Sequence, residues 1–473
     1  MLCKLENHIN IPDRCHTPQH NRAILAIMKT LKSLNNLAVN LIPYSILATL
    51  FFTQAWLKLP DAPKPFTATY VTGFMIIVPL TITLLLWGLS GFRGIQNTYR
   101  SKTNLLWFVS LIGFAGWAIL SQHWDFVSDD RAGVAENAGL QIVLVFSFAW
   151  VIFCQPPKLR WMLGLGIGLL LIQSLIGGLQ VANQSSIGLK TFGEFTLNPE
   201  LSGVGVIQSG DIRWLRPYGL LSHPNIFAGF LIFGLFSCGG FILGENRRFQ
   251  ILGGVCFLAG LWVFLLTFSR GAWGSFGLGL LVALFFILRF YHVKRRFLVV
   301  GVMAILMGLV FLLMYRPLIA SRVGAGEESI EMRSVADRIV FTEIALDAIN
   351  SSPYIGIGAG NFPWYASHYL FHKTDYDLRG NNVHHVGLGI WSEYGLVGLI
   401  LLGINILTAI IGTIRNIWRV DKQRPERIVI LGASIALLAV GLFDHYPWTL
   451  IHSQIIWFTL MAVGLSVRRD VRD

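Results

Sequence analysis

The sequence predicts an all-α, polytopic membrane helix bundle with about twelve transmembrane helices. Of its 473 residues, 54% are hydrophobic and only 13% are charged, whereas a water-soluble chain carries about a quarter charged residues. Apolar runs of about 20 residues, each long enough to cross a bilayer as a helix, recur along the whole chain. Because backbone groups cannot remain unpaired in lipid, helices are the expected form of these runs.

Twelve runs have the length of a transmembrane helix. In chain order they are 39–57, 70–90, 105–121, 138–154, 161–182, 224–243, 249–267, 271–289, 297–315, 386–413, 428–444 and 449–466. They divide the chain into a basic tail (1–38), five spans (39–182), a loop (183–223), four spans (224–315), a large loop (316–385), three spans (386–466) and a second tail (467–473).

Lys and Arg cluster in the first tail and in every second connection after it, which indicates that those segments are cytoplasmic. The clusters include Arg100 and Lys102, Lys158 and Arg160, Arg247 and Arg248, Arg295 and Arg296, Arg415 and Arg419, and Arg468 and Arg469. We therefore expect both termini in the cytoplasm and both long loops outside. The net charge of +12 is largely this orientation signal. It is dispersed over short loops, so membrane lipids are expected partners and nucleic acid is not.

The large loop is predicted to be partly helical. Ser334-Val-Ala-Asp337 is typical of a helix start, and apolar residues follow at near-helical spacing. Ser351-Ser352-Pro353 ends that helix, and the next residues, 355–363, form a glycine-rich turn.

Three cationic motifs fall at the outer face of the predicted bundle: Arg216 in RPYGLLSHPN, Arg270 in FSRGAW, and His384-His385 in NNVHHVG. They precede spans six, eight and ten, which run from outside to inside. Their helix N-termini therefore point outward and favour anions. A diphosphate is the natural ligand for such a cluster.

Each motif also has an ordinary structural interpretation. Arg216 equally fits an interfacial arginine that extends to lipid headgroups, and Pro224 fits the first turn of a helix capped by Ser222 or His223. Arg270 is more informative. It lies in a very tight outer turn, where a cation opposes the positive-inside bias, and such residues usually pair with a partner or line a polar cavity.

His384 can accept a proton near neutral pH, although an aromatic-like interfacial role is the alternative for both histidines. Two adjacent histidines cannot easily bind one ion from a helix, so no metal is predicted. Glu393 fits a structural partner for an arginine. Asp444-His445, at the outer end of span eleven, equally fits a border of the same cavity or an interfacial loop.

Four motifs together resemble the O-antigen ligase and O-antigen polymerase superfamily of membrane glycosyltransferases, which implies a GT-C-like bundle. They are R-P-Y-G-x-x-x-H-P-N (216–225), F-S-R-G (268–271), P-x-x-G-x-G-x-G-N-F (353–362) and H-x-x-x-L-x-x-x-x-E-Y-G-L-x-G (384–398). The likeness covers roughly residues 200–400 by motif and the rest by architecture. The family commonly has His-Asn where this chain has His384-His385, and the spacing to Glu393 favours His384 as the match.

The resemblance implies an integral protein of the cytoplasmic (inner) membrane whose active site faces outside. Such a protein moves a glycan from an undecaprenyl-diphosphate carrier to a hydroxyl of a glycan, lipid or protein acceptor, with inversion and without metal or cofactor. His384 would be the general base, and Arg216 and Arg270 would bind the diphosphate. The candidate substrate contacts are His223, Asn225, Arg333, Arg338, His385 and Glu393.

Two other classes of protein remain as alternatives: a small-anion transporter, for example for bicarbonate, and a glycolipid flippase. Transport favours ionisable groups near the middle of the membrane and repeated halves with broken helices, and neither feature is evident here. A flippase would use the arginines for diphosphate but would not need a base at His384.

Overall fold

The computed structural model of the protein describes eight stretches of the chain. They are 18–53, 71–124, 132–210, 212–291, 295–322, 329–371, 382–419 and 422–466.

Sixteen α-helices and two short strands form most of the described part of the chain. In order they are α1 (Pro18–Phe52), α2 (Val71–Leu89), α3 (Lys102–Ser121), α4 (Ala132–Cys154), α5 (Leu159–Asn183), β1 (Val206–Ser209), β2 (Ile212–Leu215), α6 (Pro224–Leu243), α7 (Arg247–Leu266), α8 (Arg270–Phe290), α9 (Arg295–Met314), α10 (Arg316–Arg322), α11 (Ser329–Ser351), α12 (Phe362–Phe371), α13 (Val386–Arg419), α14 (Arg424–Val440), α15 (Tyr446–Thr449) and α16 (Ile451–Leu465).

The predicted spans coincide with twelve of these helices. Among the described residues, eight helices are long and apolar enough to cross a membrane, and three shorter apolar helices accompany them. The all-α, polytopic membrane class is thus confirmed. The first span differs in its bounds, because α1 begins at Pro18 and continues without interruption to Phe52. Much of the predicted tail therefore belongs to the same helix as the span.

Helices α8 and α14 cross closely near the middle of each helix. Gly279 of α8 faces Gly432 of α14 so closely that a β carbon on Gly279 would lie 2.3 Å from the Gly432 carbonyl oxygen. Both helices also contact α6. The amide of Val386 donates to the Gly441 carbonyl at 2.7 Å, which attaches the start of α13 to the end of α14. The starts of α6 and α8 also meet this end of α14, because Asn225 bonds Asp444 and a β carbon on Gly271 would lie 3.1 Å from the Phe443 side chain.

The first long loop contains a β-hairpin that the sequence analysis did not predict. Strands β1 and β2 pair antiparallel, with Val206 opposite Leu215, and the turn uses Gly210 at φ 58°. A Gly-Asp pair between two runs rich in β-branched and apolar residues is a hairpin signal that was available in the sequence. The amide of Arg216 extends the pairing by donating to Gly205 at 3.2 Å.

The large loop is partly helical, as the sequence suggested. Its main helix, α11, begins at Ser329 rather than Ser334, because helix-compatible residues continue upstream of the expected cap, and it ends at Ser351 as expected. With α12 it forms a small hydrophobic core of its own, which includes Phe341, Ile344 and Phe362.

Helix α13 is interrupted at Gly395, where φ is 65° and ψ is −171°, a conformation essentially reserved for glycine. The interruption lets the glycine-rich turn pair with the helix backbone. The amide of Ile357 donates to Ser392 at 2.8 Å, and that of Gly358 donates to Glu393 at 2.9 Å. A β carbon on Gly395 would lie 2.2 Å from the Tyr354 carbonyl oxygen. The glycine-rich turn therefore has a structural role: its backbone bonds to α13 at the interruption.

Candidate functional site

A cavity of about 450 Å³ lies where the starts of α6 and α8 meet the end of α14. Among the described residues, four arginines line it, Arg216, Arg270, Arg322 and Arg338, together with one carboxylate, Asp444. The excess of guanidinium groups over carboxylates makes the cavity suitable for an anion, and phosphates are the anions that guanidinium groups bind best in bidentate geometry.

Arg216 is the buried arginine of the cavity, with 4% of its surface exposed. Its Nε donates to the Thr267 carbonyl at 2.6 Å, and its Nη2 donates to Asn225 Oδ1 at 2.7 Å. The interfacial position considered from the sequence is wrong, because these contacts hold the guanidinium inside the protein.

Two glutamines of α5 hold the backbone that follows Arg216. Gln180 Oε1 accepts from the amides of Tyr218 and Gly219 at 3.0 and 2.9 Å, and Gln173 Oε1 accepts from Leu220 at 3.0 Å. Gly219 has φ 58°, and a β carbon there would lie 2.3 Å from Gln173 Oε1. The glycine of the RPYG motif is thus required by its backbone conformation and by the close approach of α5.

Arg270 is the first residue of α8, and its side chain is exposed. Its Nη1 donates to the carbonyl of Arg322 at the end of α10. The preceding turn is strained, since Phe268 is fully buried at φ 47°, and bulky residues rarely adopt this conformation. That turn follows Thr267, whose carbonyl accepts from Arg216, so the FSRG motif positions both arginines.

Asp444 connects the arginine cavity to His384. Its Oδ2 accepts from Asn225 Nδ2 at 3.3 Å, and its Oδ1 lies 3.4 Å from His384 Nδ1. Since Asn225 also accepts from Arg216, a continuous chain of polar contacts runs from Arg216 through Asn225 and Asp444 to His384. This network joins residues from α6, the end of α14 and the start of α13.

The groups around Asp444 lower the pKa of its carboxyl. Burial opposes ionisation, but the bond with His384 and the fields of His445, His384 and His223 outweigh it, so the pKa of Asp444 falls below its usual range. The pKa values of two histidines beside it fall as well. Burial and the Arg216 charge lower the pKa of His223 to about 3, and burial lowers the pKa of His445.

His223 and His385 both act as helix caps. His223 lines the cavity and its Nδ1 accepts from the Asn225 amide at 3.1 Å at the start of α6. His385 Nδ1 accepts from the Leu388 amide at 3.1 Å at the start of α13. Of the histidine pair, His384 is therefore the one that contacts Asp444.

Glu393 lies away from the cavity. It is buried in α13, and its Oε1 accepts from the Phe362 amide at 3.2 Å. Its partners are thus backbone amides of the glycine-rich turn, in place of the arginine that the sequence suggested. The turn itself is not among the described residues that line the cavity.

Arg338, on α11, lines the cavity and is half-buried. Arg333 falls in the first turns of the same helix, where the side chains lie outside the described part of the structure. Arg322 was missed by the sequence analysis. A cation in a loop expected on the outer side opposes the positive-inside bias, and this signal, used for Arg270, would have found it.

His384, Asp444 and His445 place one possible ligand atom each within 4.8 Å of one another. An imidazole–carboxylate set of this kind is chemically able to bind a cation such as Zn²⁺. Hydrogen bonds already engage its members, since His445 Nδ1 lies 2.7 Å from Thr449 Oγ1 and Asp444 Oδ1 accepts from the His445 amide at 2.9 Å. The positions of these three residues are thus explained equally well by their hydrogen bonds as by a bound cation.

Comparison with known families supports the resemblance seen in the motifs. Residues 255–403 match the family model described as O-antigen ligase, a segment that includes Arg270, Arg322, Arg338 and His384. No curated protein matches the chain. The matching segment, with the apolar helices around it, supports the similarity of this integral membrane protein to the O-antigen ligase and O-antigen polymerase superfamily.

Proposed function

We propose that the protein transfers a glycan from undecaprenyl diphosphate to a hydroxyl of a glycan, lipid or protein acceptor at the outer face of the inner membrane. The observation that carries this proposal is the cavity, in which four arginines lie beside a carboxylate that contacts His384. Such a site provides both parts of the chemistry: cations for a diphosphate leaving group and a base for an acceptor hydroxyl.

The arginines stabilise the leaving group. When the bond between the anomeric carbon and the diphosphate oxygen breaks, negative charge grows on the diphosphate, and fixed guanidinium groups in a partly buried site lower the energy of that state. Arg216 is held by Thr267 and Asn225, so its position requires little reorganisation. Arg270 is exposed at the start of α8, where the helix dipole adds to the attraction for an anion.

His384 removes the proton from the acceptor hydroxyl. Its Nδ1 is directed to Asp444 at 3.4 Å, an arrangement that leaves Nε2 as the basic nitrogen. As Nε2 takes the proton, the acceptor oxygen attacks the anomeric carbon, and the bonding pair leaves with undecaprenyl diphosphate. Attack from the face opposite the leaving group inverts the anomeric configuration. Asp444 then stabilises the imidazolium that forms.

A single-turnover experiment tests this proposal. Purified protein in lipid is given an undecaprenyl-diphosphate oligosaccharide and a panel of acceptors, with EDTA present. We expect glycan transfer that survives EDTA, a product of inverted configuration by NMR, and loss of transfer in His384→Ala. Transfer abolished by EDTA would contradict the metal-independent mechanism and assign a metal to the cluster of His384, Asp444 and His445.

His385→Asn is the matched control, because asparagine is a good helix cap and removes the neighbouring imidazole without changing the contact to Asp444. We expect this variant to retain transfer. Unchanged turnover in His384→Ala would refute the assignment of the base. Donor binding that depends on Arg216 and Arg270, without transfer to any acceptor, would favour a flippase.

A further inference from the structure

A second polar cavity, of about 190 Å³, lies where the start of α3 meets the ends of α13 and α16. Three arginines line it, Arg100, Arg415 and Arg419, and none of the described residues in its wall is acidic. The other polar groups in the wall are hydroxyls and amides: Asn97, Ser101, Thr103, Asn104 and Asn416. This composition is suited to an anion.

The second cavity lies at the opposite end of the bundle from the first. Helix α13 begins at Val386, beside Gly441 and the first cavity, and its last turns, from Gly412 to Arg419, line the second. At 1.5 Å per residue this separation is about 40 Å, which is close to the thickness of a bilayer with its headgroups. Since Arg100, Arg415 and Arg419 belong to connections expected on the cytoplasmic side, we place the second cavity at the inner headgroup layer and the first at the outer one.

Several contacts give the second cavity a fixed frame. Arg415 donates to Thr103 Oγ1, which joins α13 to α3. Ser101 caps α3 by accepting from the Asn104 amide at 3.1 Å. Asn416 is buried and donates to the carbonyls of Gly464 and Leu465 at 3.0 and 2.9 Å. The start of α3 adds its partial positive charge to the arginines.

Exposed apolar side chains of α13 and α3 lie beside the arginines on the surface of the bundle. Leu407 and Ile411 precede Arg415 at intervals of four residues, so all three share one face of α13. Leu407 is 59% exposed and Ile411 is 44% exposed. On α3, Leu106 and Val109 are also exposed, just beyond Thr103. Exposed apolar side chains beside a cationic cavity match a ligand with a phosphate group and acyl chains.

We propose that this second cavity binds the phosphate headgroup of an anionic phospholipid. The positive-inside bias alone would also place arginines at this end of the bundle. That bias depends only on how many basic residues each connection carries, and it does not require them to meet in one cavity. Here arginines from two distant segments converge on one cavity with hydroxyl and amide groups, which is the arrangement expected of a headgroup pocket between helices. The proposal does not depend on the proposed glycan transfer.

Binding of a short-chain phosphatidylglycerol to the full-length protein in neutral detergent, measured by native mass spectrometry, tests the proposal. Each arginine near an anionic headgroup contributes about a fivefold change in affinity. Replacing Arg100, Arg415 and Arg419 together by Gln should therefore weaken binding about a hundredfold. Phosphatidylcholine of the same chain length should bind weakly to both proteins.

The matched control replaces Arg93, Arg247 and Arg248 by Gln. These arginines are exposed, belong to connections expected on the same side and do not line the cavity, so phosphatidylglycerol affinity should not change. Equal losses in the two triple variants would overturn the proposal, as would equal binding of the two lipids by the native chain. Displacement of the lipid by millimolar inorganic phosphate would instead assign the cavity to the free anion.

If the triple variant is not monodisperse, Arg419→Gln alone serves as the test, because Arg419 is exposed at the end of α13. A loss of about fivefold is expected, and unchanged affinity would contradict the proposal.

Discussion

His384 Nδ1 lies 3.4 Å from Asp444 Oδ1, across the junction of α13 and α14. This junction is also fixed by the backbone, since Val386 donates to Gly441 at 2.7 Å. A side-chain contact and a backbone hydrogen bond thus both join α13 to α14 at this point, and together they fix His384 relative to Asp444. In the proposed mechanism, the base at His384 therefore depends on its carboxylate partner as much as on its own ring.

Asp444→Asn should lower the single-turnover rate of glycan transfer by about 10²–10⁴-fold, because the amide cannot stabilise an imidazolium at His384. The protein should still insert and bind donor. Glu426→Gln is the control, since that buried carboxylate pairs with Arg160 at 3.4 Å at the other end of the bundle. An unchanged rate in Asp444→Asn would show that the base acts without this partner.

Arg216→Lys should reduce the transfer rate about 100-fold or more, because one ammonium cannot reproduce a planar guanidinium that bonds Thr267 and Asn225 together. The comparison is Arg213→Lys on β2, where Nε donates to Pro199 at 2.7 Å outside the cavity. Similar rates for the two lysine variants would contradict a specific role for the buried guanidinium.

His223 should make the protein less stable in acid. Its pKa falls from 6.5 to about 3 in the folded protein, mainly through burial and then through Arg216. Below pH 6.5 the unfolded chain therefore takes up a proton that the folded protein does not, so stability is present above that pH and is lost as pH falls toward 3. The loss near pH 5 is about 1–2 kcal/mol.

His223→Asn tests this, because asparagine keeps the helix cap and does not titrate. The melting temperature is compared between about pH 7.5 and about pH 5. We expect a smaller acid-induced decrease in the variant than in the native protein. An identical decrease in both would mean that His223 is protonated in the folded state.

Gly395→Ala should destabilise the protein by about 3 kcal/mol or more, since it combines an unfavourable backbone conformation with a steric conflict. The added β carbon would lie 2.2 Å from the Tyr354 carbonyl oxygen. Gly403→Ala, in the same helix with no atom within 4 Å of the new carbon, should be neutral or slightly stabilising. Equal melting temperatures for the two variants would refute the role of the interruption.

The sequence predicted the helices well because each span carries its signal locally. Apolar runs located twelve helices, and the positive-inside bias singled out Arg270 as unusual. The motifs also placed Arg270 and His384 at helix starts, and the structure has Arg270 at the start of α8 and His384 just before α13. Arg216 instead follows β2, eight residues before α6. These properties depend on residues that are close together in the chain.

Long-range partners could not be predicted in the same way. Asp444 was weighed equally as a border of the cavity and as an interfacial loop, because nothing near it in the chain indicates His384 or Asn225 as its partners. The fixed position of Arg216 depends on Thr267, and the pairing of the glycine-rich turn depends on the conformation of Gly395. The sequence suggested an arginine as the partner of Glu393, whereas the carboxylate accepts hydrogen bonds from backbone amides of the glycine-rich turn.

The side-chain amide of Asn225 connects the arginine cavity to the pair formed by Asp444 and His384. Its oxygen accepts from Arg216 and its nitrogen donates to Asp444. In the proposed mechanism, a displacement of Arg216 in the leaving-group pocket is therefore transmitted to Asp444, which orients the base. Changes in acceptor preference are therefore expected to arise on the opposite wall, from α10 and α11, where side chains reach the cavity without belonging to this linkage. A substitution at Arg216, Asn225, Asp444 or His384 is therefore expected to require compensating substitutions at the other three.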